Sequence, residues 1–290
     1  MISNTHGMKI ASNGLNILRN NQNKNYFFLG GLPRSGNTVL SAVLNQNPKM
    51  YIGPLSPVCN MMWNIERLKF DEPVITHKNT NKVDNVLRGV IGNYYQSIDK
   101  PYIFDREKCW GTPANFNLIR TYIDPSPKIV LTVRKITDVL LSFLQVMEDY
   151  SWVDREMEDL KFLPVYHRTK NDARCDYLML ADSSIEKSLL GIKLATEKET
   201  KPFFHLVEYD DLINNPKQTL QSIYNFLELD YYEHNFYNIK PEELVDDTKG
   251  GFPKDLHKIA PILKKQKHKK GIELSNYVLN RYSNMEFWRE

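Results

Sequence analysis

No apolar run in this 290-residue chain approaches the roughly 20 residues a membrane-spanning helix needs. Cysteine is scarce as well. Cys59, Cys109 and Cys175 are odd in number, and their spacing suits neither a zinc site nor a redox pair. With no signal peptide at the start, the expectation is a cytoplasmic protein in a reducing compartment. Neither sign of charge prevails. Lys and Arg total 38 against 35 Asp and Glu, a balance of +3 that favours neither nucleic acid nor a membrane surface as partner. The histidines His77, His167, His205, His234 and His257 lie far apart, so no metal cluster is expected.

What is present is enough apolar material for a core, 41% of residues, with charged residues held to 25%. One dense basic run, Lys264, Lys265, Lys267, His268, Lys269 and Lys270, reads as a solvated surface segment or as a rim that attracts anions. Apolar runs at Tyr26–Leu29, Tyr102–Phe104, Lys128–Val133 and Phe203–Val207 predict strands. Helical spacing is found at Thr38–Leu44, at Asn81–Ser97, from Thr137 (as cap) through Met147, at Tyr177–Thr196, and after Asn215-Pro216. Tyr150–Cys175 is charged and irregular and reads as a loop or lid. Alternating strands and helices predict an α/β fold, a central parallel sheet flanked by helices in three layers. Ligands of such sheets sit beyond the carboxyl ends of the strands.

The segment Gly31-Leu32-Pro33-Arg34-Ser35-Gly36-Asn37-Thr38 follows the first strand and opens a helix. Glycines there let successive N–H groups face one anion, and the helix N-terminus adds its dipole. The spacing is that of the nucleotide loop G-x-x-x-x-G-K-[ST], except that Asn37 stands in place of the lysine and a cation, Arg34, lies inside the loop. Leu32 to Thr38 resembles the 5′-phosphosulfate loop of sulfotransferases that use 3′-phosphoadenosine-5′-phosphosulfate (PAPS), most closely the tyrosylprotein and the phage and bacterial types. The resemblance implies a P-loop fold and transfer of a sulfuryl group from PAPS to a hydroxyl or amine, releasing 3′,5′-adenosine bisphosphate. It implies that Arg34 and the N–H groups of Ser35, Gly36, Asn37, Thr38 and Val39 hold the 5′ end.

Arg134 ends the Lys128 strand, and Ser142 comes eight residues later on the following helix. The pair resembles the family's 3′-phosphate site, R-x(7)-S. Near the C-terminus, Gly250 to Ile259 resembles the segment that closes over the 3′-phosphate and adenine, with Gly251 and Lys258 the best matches. Val207 to Leu212 resembles the family's V-x-Y-E-D-L turn, which makes Tyr209 a nucleotide contact. The resemblance implies a sulfotransferase domain over 26–260, an N-terminal extension over 1–25, and a C-terminal extension over 261–290 that packs on the domain.

Sulfuryl transfer requires in-line positioning, charge stabilisation on the leaving phosphate and removal of the acceptor's proton. PAPS is already activated, so no metal is required. The family often places a lysine just after the strand that here is Tyr102–Phe104; Arg106 and Lys108 both qualify. The family's glutamate after the first helix is missing from Tyr51–Pro57. Asp105 leads the candidates for base, followed by Glu107 and, more distantly, Glu66 or His77. The acceptor, whether sugar, peptide or small metabolite, is not legible. Two other readings remain open: a P-loop kinase or NTPase, and a nucleotide-binding module without catalysis.

Overall fold

The computed structural model describes residues 24–71, 80–149, 170–241, 257–265 and 271–289. Five strands form one sheet: β1 (Asn25–Gly31), β2 (Met50–Ile52), β3 (Tyr102–Arg106), β4 (Ile129–Val133) and β5 (Phe204–Glu208). Their order is β2-β3-β1-β4-β5, and every neighbouring pair is parallel. Parallel strands need crossovers, and helices supply them. Helix α1 (Asn37–Leu44) leads to β2. Helices α2 (Val58–Asp71) and α3 (Thr80–Tyr94) lead to β3, and α4 (Pro113–Tyr122) leads to β4. Helices α5 (Ile136–Asp149), α6 (Asn171–Leu178) and α7 (Ser184–Thr196) precede β5. Helices α8 (Tyr209–Asn214), α9 (Pro216–Leu227) and α10 (Asn276–Tyr282) complete the described chain.

Side chains alternate across a strand, so each strand feeds two cores. Phe27, Leu29, Phe104 and Val130 face α1 and α9, where Leu40, Leu44, Leu220, Ile223, Tyr224 and Leu227 meet them. Phe28, Ile103, Ile129, Leu131 and Val133 face the opposite layer, built from α2 to α7 and α10. The result is the expected three-layer α/β fold. Among the described residues, no helix is long and apolar enough to cross a membrane.

Several local expectations need correction. The span Tyr177–Thr196 is two helices and not one. Asp182 takes a left-handed φ of 66°, and Ser183 caps α7 by accepting from the Glu186 N–H. Helix α6 begins at Asn171, inside the segment read as a loop; residues 150–169 of that segment lie outside the described residues. Thr137 does not cap α5, which starts one residue earlier; the Ile136 N–H donates to Glu286 Oε1 at 2.7 Å. The C-terminus supplies this cap from 150 residues away. A short-range sequence pattern cannot report it.

Candidate active site

The chain leaving β1 runs to β2 at one edge of the sheet, while the chain leaving β4 runs to β5 at the other. A crevice therefore opens between the carboxyl ends of these two adjacent strands. The loop Leu32–Gly36 and residue Arg134 both emerge there. Gly31 pairs with Thr132 and has φ 110°; a Cβ on it would lie 2.2 Å from the Thr132 carbonyl oxygen, so only glycine fits. The Leu32 N–H donates to that carbonyl at 2.9 Å. Ser35 is fully buried, and its hydroxyl is engaged by the Leu32 carbonyl and Thr132 Oγ1. Its side chain therefore pins the loop to β4, which leaves only its backbone N–H for an anion.

Gly36 precedes α1 with φ 94°, and no side chain caps this helix. The first intrahelical bond runs from the Leu40 N–H to the Gly36 carbonyl at 2.9 Å. The N–H groups of Asn37, Thr38 and Val39 thus have no acceptor within the helix. No acidic residue occupies its first turn. The positive end of α1 is open to an anion.

Two arginines converge beside this helix end. Arg34, held at φ 59°, donates from Nε to Ser142 Oγ at 3.1 Å. Arg134, buried to 5% exposure, donates from Nη1 to the Arg34 carbonyl at 2.9 Å. The sequence expectation sets Arg34 at one end of the nucleotide and Arg134 with Ser142 at the other; in the structure Arg34 itself reaches Ser142. Adjacent strands bring residues just past Gly31 and Thr132 together, so one cleft contains all three. Burial, and then the neighbouring Arg134 charge, hold the pKa of Arg34 below its ordinary value. The Arg134 guanidinium lies 4.3 Å from the Tyr209 ring centroid, a cation–π contact. Tyr209 is itself buried and packs under Gly36, where an added Cβ would approach its ring to 2.9 Å.

The polar groups of the cleft are incompletely paired. Nε and Nη2 of Arg134 and Oδ1 of Asn37 are buried without a hydrogen-bond partner. Asp138 stands 3.8 Å from Arg134 Nε, too far for a hydrogen bond. Unmet buried donors of this kind cost about 1–3 kcal/mol each, more when charged. A phosphate or sulfate group in the cleft would accept from the two free Arg134 donors, so the cleft's cations fit an anionic ligand such as the phosphates of PAPS.

The strand beyond β1 carries the other predicted residues. Asp105 is fully buried, and its carboxylate accepts from Ser56 Oγ (2.6 Å), Tyr95 OH (2.9 Å) and Trp110 Nε1 (2.7 Å). Burial raises its pKa, and the three donors oppose the rise. This enclosure does not fit a base that must reach a substrate; Asp105 anchors α2, α3 and the chain after β3 instead. Arg106 points to the opposite face and donates from Nη1 to Ser41 of α1 at 3.3 Å, with its pKa lowered by burial.

Glu107 is half-buried. Its N–H donates to the Leu29 carbonyl at 3.1 Å, and the Gly31 N–H donates to the Lys108 carbonyl at 3.2 Å. Residues 107 and 108 thus run alongside the last residues of β1, three positions before Arg34. Burial foremost raises the pKa of Glu107, with the Lys108 charge opposing. Glu66 is taken up elsewhere, by Lys69 and Tyr122 between α2 and α4. Lys258 is exposed. Gly251, His77 and Lys267 to Lys270 lie outside the described residues. Lys265 pairs with Asp210 at 2.8 Å, beside the Arg134 cleft.

A parallel sheet whose switch-point crevice joins an open helix N-terminus to the half-buried Arg34 and the buried Arg134 defines an anion-binding protein of the α/β class. Residues 27–233 match the family model described as the sulfotransferase family, and the chain belongs to that family. Among solved structures, it is similar to the sulfotransferase domain of the Synechococcus PCC 7002 olefin synthase, at 19% identity, with 73% of this chain and 76% of that one covered and a TM-score of 0.44. It is similar also to the sulfotransferase domain of the curacin biosynthetic pathway, at 17% identity, with 72% and 75% covered and a TM-score of 0.48. A sulfotransferase from Alicyclobacillus acidocaldarius matches at 13% identity, with 89% of each chain covered and a TM-score of 0.44. No curated protein sequence matches the chain.

Proposed function

We propose that this transferase carries a sulfuryl group from PAPS to a hydroxyl or amine acceptor and releases 3′,5′-adenosine bisphosphate. The reading is carried by the half-buried Arg34 and the buried Arg134, the latter with unpartnered donors, at the open end of α1. One arginine beside a phosphate loop would serve any nucleotide. A second, just past the end of β4, favours a nucleotide that carries a second phosphate. Asn37, in place of the loop lysine, disfavours an NTPase, which needs that charge on the terminal phosphates.

In this reading Arg34 and the N–H groups of residues 35–39 hold the 5′-phosphosulfate. Arg134 holds the 3′-phosphate, and Ser142 fixes the arginine between them. Tyr209 forms the floor of the cleft. Gly251 and Lys258 close over the nucleotide, as the family resemblance implies. Glu107 takes the acceptor's proton as the new S–O bond forms and the bond to the 5′-phosphate breaks. Its half-buried carboxylate beside β1 and its raised pKa support that role. Lys108, next to it, offers charge to the sulfuryl oxygens. Arg106, turned under α1, supports the loop from beneath.

Calorimetry tests the donor. The native protein is expected to bind adenosine 3′,5′-bisphosphate far more tightly than ATP, and Arg34→Ala and Arg134→Ala should each weaken that binding roughly 10- to 100-fold. ATP binding equal to or better than the bisphosphate would overturn the assignment. The base is tested by a pH–rate profile with labelled PAPS. Turnover should fall as pH drops through a value above the ordinary glutamate range of about 4.3, and Glu107→Gln should cut kcat by roughly 100-fold or more. An unchanged acid limb in that variant would remove Glu107 from the mechanism.

A further inference from the structure

The last described segment, 271–289, is a strap with two anchors. At one end it is sewn to α6: Ser275 Oγ donates to Asp172 at 2.7 Å, and Tyr277 and Tyr282 donate to the two oxygens of Asp176 at 2.9 and 2.6 Å. Ile272, Val278 and Tyr282 are buried in the larger core. At the other end it reaches the corner that carries Arg134. Glu286 Oε1 accepts from the Ile136 N–H, two residues past Arg134. Trp288 Nε1 donates to Glu208 Oε1 at 2.8 Å, and Arg289 grips both oxygens of Glu208, at 2.7 and 2.9 Å. Glu208 immediately precedes Tyr209, the ring against which Arg134 lies.

We propose that Glu286 is a positioning residue for the 3′-phosphate end of the donor cleft, with Trp288 and Arg289 as its partners. The inference rests on the donor reading above. Arg134 hangs from a two-residue junction between β4 and α5, and its guanidinium makes one hydrogen bond. Ordering a long side chain is costly unless its frame is fixed. The strap fixes the frame on both sides: Glu286 holds the start of α5, and Trp288 with Arg289 holds the residue before Tyr209. Glu286 also places its negative charge on the N-terminus of α5, satisfying the dipole there. Helix α5 is thereby capped and carries Asp138 in its first turn, whereas α1 has no acid in its first turn and is left for the incoming anion.

The test compares adenosine 3′,5′-bisphosphate with adenosine 5′-monophosphate by calorimetry. Glu286→Ala is expected to weaken the bisphosphate about fivefold to tenfold, the range of a lost helix cap, and to leave the monophosphate unchanged. Glu286→Gln keeps an acceptor for the Ile136 N–H and should remain within about threefold of native. Hydrogen exchange over residues 136–142 should quicken in Glu286→Ala with no ligand present. Native bisphosphate affinity in the alanine variant, an equal loss of both nucleotides, or unchanged exchange would each overturn the proposal. If the native protein does not prefer the bisphosphate over the monophosphate, the donor reading fails, and the exchange measurement still decides whether the strap holds α5.

Discussion

Asp105 and His234 show how burial converts a titratable side chain into a structural one. Asp105 is met by three donors, and hydrogen bonds to charged groups are worth about 1.5–3 kcal/mol each. Asp105→Asn turns an amide NH2 toward at least one of these donors. It should lower unfolding free energy by roughly 2–4 kcal/mol in urea titration. Were Asp105 the base, the same variant would lose turnover with stability intact. His234 lies under Tyr224, which it meets through Nε2 at 3.0 Å, and burial lowers its pKa to about 4. The unfolded chain takes up that proton near pH 6.5, and the folded chain does so only near 4. Stability should therefore fall as pH drops from 6.5 to 4, by up to about 3 kcal/mol from this residue. Denaturant midpoints of native and His234→Gln should converge toward low pH; a constant gap would exclude the histidine as the cause.

At the scale of elements, four strands and the helices at Thr38, Asn81 and Pro216 were legible because each carries its own periodicity and its own stop. Strand β2 was not legible: three residues are too few to show a period. Helix α4 had a readable signal in Thr112-Pro113, a cap followed by proline, and Thr112 does accept from the Asn115 N–H. The break between α6 and α7 was signalled by Ser183 and Glu186, three apart, a pattern that a long apolar stretch masked. Ser183→Ala should cost about 1 kcal/mol in thermal unfolding. The loop residues Arg34 to Thr38 were legible as a unit, since local spacing and strand context are both sequential. Their partnership with Arg134 was legible only through resemblance to a family, and the direct contact between Arg34 and Ser142 was not legible at all. It depends on β1 and β4 becoming neighbours, a non-local fact.

For the molecule as a whole, the family match ends at residue 233, yet the core does not. Ile272, Val278 and Tyr282 are buried against α5 and α6, and burying a large apolar side chain contributes about 1.5–3 kcal/mol. A chain ending at residue 270 retains every family-matched position. It should nevertheless lose several kcal/mol of stability and show a lower denaturant midpoint. A midpoint equal to that of the full chain would mean the strap is an appendage and not part of the core.

The charges of Arg34 and Arg134 oppose each other within one cleft and act as a compressed spring. Any small oxyanion that slips between them relaxes it. Inorganic sulfate and phosphate should thus raise the thermal midpoint, and they should compete with nucleotides for the cleft. Buffer composition becomes a determinant of nucleotide affinity, and chloride solutions will show a tighter grip on the nucleotide than phosphate or sulfate ones.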